Sequence, residues 1–129
     1  MRILGLSASI LAIVALNGCA QRPPTQSLAP PQPTPTCSSE VSCAQKWADA
    51  REAIQSVVGM RLRTTTDTYL ETYVRNRMPF LVGKVEKVPL GGTKYEIRGR
   101  VECADRNPSL CGNLPYTGTN AFNAIVGTE

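Results

Sequence analysis

Histidine is missing from this 129-residue chain altogether. Without an imidazole, the serine–histidine and cysteine–histidine schemes of nucleophilic hydrolysis have no base to work with. Zinc loses its most usual nitrogen ligand as well. The cysteine pairs Cys37/Cys43 and Cys103/Cys111 lack the two-residue spacing of zinc knuckles, so no metal site is expected. A strong charge of either sign is also lacking. Fourteen basic residues stand against ten acidic ones, for a formal net charge of +4. An excess this mild and dispersed suits anionic surfaces and argues against nucleic acid as a partner. Finally, no apolar run reaches the roughly 20 residues needed to span a bilayer. The longest, Ile3 to Leu16, is interrupted only by Ser7 and Ser9.

That run follows a minimal basic start, Met1-Arg2, and has the proportions of a secretory h-region. It ends in Leu16-Asn17-Gly18-Cys19. The rivals to be weighed are an ordinary signal peptide cut elsewhere and an unprocessed anchor. The four residues resemble the lipobox of bacterial lipoproteins, with a small residue before the cut and a thiol after it. Asn17 departs from the small or β-branched residue usual at its position. The resemblance implies residues 1–18 as a signal peptide and Cys19 as the lipidated residue, its thiol free of any disulfide. It implies two or three acyl chains, and stable anchoring needs more than one. Ala20, where an Asp would favour inner-membrane retention, leans toward the outer membrane, facing the periplasm. Beyond this covalent lipid no cofactor is expected.

Residues 19–36 carry six prolines and no cluster of large apolar side chains. Proline has no backbone donor, so a disordered, extended spacer is predicted, rising ~3 Å per residue and reaching roughly 50 Å. The rest, residues 37–129, makes one small domain. A core of that size is marginal alone and calls for staples. In an exported chain Cys37, Cys43, Cys103 and Cys111 read as two disulfides. Three connectivities are open. The short, similar spacings favour Cys37 with Cys43 and Cys103 with Cys111; crossed pairing would tie the first helix to the last strand.

Ser38-Ser39-Glu40 has the form of a helix start. Cys43, Trp47, Ala50, Ile54 and Val57 then recur at helical spacing, and Gly59 supplies a terminator. Trp47 is the anchor expected to hold this helix to the core. Strands are predicted around Met60–Thr64, Tyr69–Val74 and Phe80–Val88, the last ended by Pro89, with a corner at Asp67 and a hairpin at Gly91-Gly92. Lys94 to Cys103 alternates strictly: Tyr95, Ile97, Gly99, Val101 and Cys103 on one side, Lys94, Glu96, Arg98, Arg100 and Glu102 on the other. One side is therefore expected dry and one wet. Residues 104–118 read as a cysteine-tied loop, and a short helix from Thr119 through Val126 closes the chain. The fold expected is α+β: one long and one short helix on a four-stranded antiparallel sheet. This order, with the Glu71-Thr72-Tyr73 run, loosely resembles small envelope lipoprotein domains such as the helix-grip modules of the outer-membrane assembly lipoprotein BamC. The likeness transfers no catalytic residue.

Asp67 with Glu71, or Glu86 with Glu96, are the carboxylate pairs available for acid–base chemistry. Lys84, Lys87, Lys94 and Arg98 flank the last two, which favours cross-strand ion pairing over catalysis. Arg61, Arg63, Arg98 and Arg100 make the wet face a mixed-charge surface. Arg75 and Arg77, in a loop before Pro79, are the best basic contacts. Leu110 and Tyr116 are the apolar anchors of a second rim. The expectation is a lipid-anchored, non-enzymatic periplasmic domain that binds an unidentified envelope protein or supports an envelope assembly. Two alternatives follow: an inhibitor or immunity-type lipoprotein using residues 104–118 against a toxin, lysozyme or phage, and a carboxylate-based glycan hydrolase.

Overall fold

The computed structural model describes residues 28–129. Cys19, the segment 1–18 and the first part of the proline-rich stretch lie outside the described residues. The long helix, α1, is Glu40–Val58. Ser39 caps it reciprocally: its hydroxyl accepts from the Ser42 N–H at 3.1 Å, and the Ser42 hydroxyl accepts from the Ser39 N–H at 3.2 Å. Two otherwise orphaned donors are thereby satisfied. Cys43, Trp47, Ala50, Ala53, Ile54 and Val58 form its buried stripe, and Gly59 ends it in the left-handed conformation. No helix among the described residues is long and apolar enough to cross a membrane.

The sheet has five strands rather than four. They are β1 (Thr36–Cys37), β2 (Leu62–Thr65), β3 (Tyr69–Thr72), β4 (Leu81–Gly91) and β5 (Lys94–Cys103), ordered β1-β5-β4-β3-β2 and antiparallel throughout. The unforeseen strand, β1, arises from the end of the proline-rich stretch. Thr36 opposes Glu96 and Cys37 opposes Tyr95, while the Ile97 N–H donates to the Pro35 carbonyl at 2.8 Å. Proline cannot donate, but its carbonyl is intact, so such a segment can satisfy the free donors of an edge strand. Pro89 does not end β4. It sits opposite Tyr95 just before a register irregularity, and Gly92-Thr93 make the turn into β5.

Both helices lie on one face of the sheet. The second, α2, is Leu114–Val126. It begins five residues before the expected Thr119, so the predicted loop over 104–118 shrinks to a stretch containing a 3-10 turn, Pro108–Cys111. Pro115 is no obstacle, because the first turn of a helix has no partner for that N–H. Two strand glycines set the closeness of the layers. A Cβ on Gly99 would lie 2.2 Å from the Phe122 ring of α2, and one on Gly83 would lie 2.5 Å from Cγ1 of Ile54 on α1. Phe122 and Ile54 are fully buried. Lys46, off the apolar stripe of α1, reaches the far end of α2, donating to the carbonyls of Val126 (2.8 Å) and Gly127 (2.9 Å). The last turn of α2 has no basic residue of its own, so this cation complements its dipole from a neighbouring element.

The disulfides are the two local ones, Cys37–Cys43 and Cys103–Cys111, with Cα atoms 5.0 and 5.9 Å apart. The first ties β1 to α1. The second closes the segment leaving β5 onto the 3-10 turn.

Candidate functional site

Leu81, the first residue of β4, opposes Cys103, the last of β5. The β3–β4 connection and the β5–α2 connection therefore leave the sheet at the same end. They are joined there: the Ala104 N–H donates to the Phe80 carbonyl at 2.8 Å, and Cys111 Sγ lies 3.6 Å from the same oxygen. This juxtaposition gathers Arg75, Arg77 and Leu110, three of the four residues expected from the sequence as possible contacts, into one rim. Arg77, Met78 and Arg106 are exposed, Met78 at 60% and Leu110 at 48%. Val74, Tyr73 and Leu114 are exposed beside them, and the Arg61 guanidinium sits 5.0 Å from the Tyr73 ring centroid. Arginines and exposed aliphatic and aromatic side chains thus share this end of the sheet.

Arg75 is the inner member of this rim. Its backbone N–H donates to the Leu81 carbonyl at 2.8 Å, and its Nη2 reaches the Met78 carbonyl at 3.4 Å. Its Nε is buried without a partner. The residue lines an open cleft of about 250 Å³ together with Val57, Leu81, Val101, Leu114, Thr117 and Ala121.

Tyr116, the fourth of those residues, is engaged within the chain. It lies in the first turns of α2 and its hydroxyl donates to the Ala29 carbonyl at 2.7 Å. Asn120 follows one turn on, accepting from the Gln32 N–H at 2.9 Å and donating to the Pro30 carbonyl at 3.1 Å. Asn123, buried at 8% exposure, donates to the Gln32 carbonyl at 3.2 Å. Residues 29–35, read from the sequence as part of a disordered spacer, are thus laid along α2 and run from the rim to β1. The clue in the sequence was a polar stripe, Tyr116, Asn120 and Asn123, at helical spacing. A proline-rich segment offers carbonyls with few competing donors, and those three side chains supply hydrogen-bond donors to match.

The opposite face of the sheet carries the carboxylates considered for acid–base chemistry. Glu71 accepts from Arg63 and from the Tyr69 hydroxyl, both at 2.7 Å. Glu86 pairs with Arg100 at 3.5 Å, Glu96 with Arg98 at 3.1 Å, and Glu102 with Lys84 at 2.8 Å. Asp67 stays exposed in the β2–β3 turn. With their basic partners on β2, β4 and β5 the glutamates form a face of alternating charge, Glu96–Arg98 within β5 and the other pairs across strands. Partial burial, the hydrogen bond to Glu71 and the charges of Glu71, Glu86 and Glu102 push the Tyr69 phenol up to about 12. No family model, no curated protein and no solved structure matches the chain.

Proposed function

We propose that the chain is a lipid-anchored, non-enzymatic domain of the bacterial cell envelope, tethered through Cys19 to the outer membrane and facing the periplasm. Its task in this reading is to hold a docking surface for an envelope protein or an envelope assembly. The observation that carries the reading is the course of residues 29–35. They are strapped to α2 by Tyr116, Asn120 and Asn123, so the chain arriving from Cys19 joins the domain beside the rim. The anchoring segment and the domain then act as one body.

The test is a Cys19→Ala substitution in the full chain, followed by cell fractionation and intact-mass measurement. Wild-type protein is expected in the envelope fraction with the mass of an acylated chain carrying two disulfides. The variant is expected to lose both the sedimentation and the added mass. Equal sedimentation of the two, with neither carrying a lipid, defeats the proposal. Cross-linking of intact envelopes then identifies the partner.

A further inference from the structure

We infer that the rim is the membrane-facing end of the domain and rests on anionic phospholipid headgroups. The inference deepens the anchoring reading above and rests on it.

Three observations converge. The first is where the described chain begins. Ala29 is held at Tyr116, in the first turns of α2, so Leu28 emerges at the rim end and not at the β4–β5 hairpin. Cys19 to Leu28 spans about 30 Å at full extension. A tether that short, attached at that end, turns the rim toward the bilayer and keeps it at high local concentration there. The second is charge. The two rim connections, residues 73–80 and 104–113, contain Arg75, Arg77 and Arg106 against one acid, Asp105. The third is apolar exposure. Val74, Met78, Leu110 and Leu114 are exposed large hydrophobic residues of these connections and the adjoining start of α2, and Leu28 is exposed where the tether enters. Arginines set among aliphatic side chains are the composition of a surface that enters the headgroup layer: the cations attract anionic lipid while the apolar tips reach the acyl boundary. The protein partner would then meet the remaining faces.

The test uses the full acylated chain in vesicles of phosphatidylethanolamine and phosphatidylglycerol with brominated acyl chains. Trp47, the one native tryptophan, is buried and gives a constant background. Leu110→Trp and Met78→Trp report on the rim. Leu90→Trp reports on the opposite end, where Leu90 is 54% exposed near the β4–β5 turn. The rim reporters are expected to be quenched and Leu90→Trp not. Adding Arg77→Glu and Arg106→Glu, or leaving out phosphatidylglycerol, is expected to bring the rim signal down to that of Leu90→Trp. Equal quenching at both ends, or quenching only at Leu90→Trp, overturns the inference. So does an unquenched rim whose charge reversal abolishes a protein cross-link, which assigns the rim to a protein instead. Intact mass of the same samples keeps the two readings apart. An unacylated chain ends the anchoring proposal, and the same reporters, with protein added from solution, still decide the docking. An acylated chain with an unquenched rim ends the docking alone.

Discussion

At the scale of the residue, this protein is organised by polar side chains that hold backbone. Asn120 accepts from one backbone N–H of the 29–35 segment and donates to one of its carbonyls. An exposed hydrogen bond contributes about 1 kcal/mol or less, so Asn120→Ala is expected to shift global stability by about 1 kcal/mol at most. The segment itself is expected to come loose, seen as faster amide exchange at Gln32 and new proteolytic cuts upstream of Pro35. A second residue-level consequence lies in Tyr69. Its phenol titrates at about 12 in the folded chain and near 10 when unfolded. The folded state therefore holds that proton more tightly. The contribution is intact below about pH 10 and is lost as pH rises toward about 12. Denaturant midpoints measured across that window should fall with pH more steeply in wild type than in Tyr69→Phe. A phenolate absorbance titration should show one of the four tyrosines ionising near 12.

At the scale of the element, close approach between helix and sheet governs stability. Phe122 of α2 sits directly on Gly99 of β5, where an added Cβ would come within 2.2 Å of the ring. A phenyl ring in a full core cannot turn aside cheaply, and overpacking of this kind costs about 1–3 kcal/mol. Gly99→Ala is expected to lower the urea midpoint accordingly with little change in slope. Lys46→Met keeps the length and apolar body of that side chain but removes the cation from the end of α2. The expected loss is about 1 kcal/mol, concentrated as faster amide exchange in the last turn of α2. These elements were unequally legible. The alternation of β5 and the capped, striped α1 rest on local periodicity, and both stand close to where the sequence puts them. The start of α2 was hidden because Pro115 and Gly118 read as loop residues. In the folded chain Pro115 occupies the first turn, and Gly118 lets the helix approach Val101, where a Cβ would stand 2.9 Å from Cγ2. The packing gain against β5 offsets a helix-propensity penalty of about 1 kcal/mol.

At the scale of the whole molecule, the Cys37–Cys43 disulfide joins the proline-rich segment, the edge of the sheet and the first helix. In the chain-entropy picture a loop this short is worth about 2–3 kcal/mol. For a domain of this size that corresponds to about 10 °C in the thermal midpoint. Replacing Cys37 and Cys43 together by serine is expected to produce a loss of that order. It should also release β1, so that the Ile97 amide loses protection while the centre of β4 keeps it.

Local chemistry was enough to determine the class of this fold, its capped first helix and its half-wet strand β5, and to favour the pairing of near cysteines, because each depends on residues within a few positions of one another. The fifth strand, the strap of residues 29–35 along α2 and the gathering of Arg75, Arg77 and Leu110 at one end were decided only by tertiary structure. They join residues as distant as Ala29 and Tyr116. What creates them is the open edge of β5, with its Ile97 donor, together with the amide side chains of α2, and neither exists as a binding surface until the chain has folded.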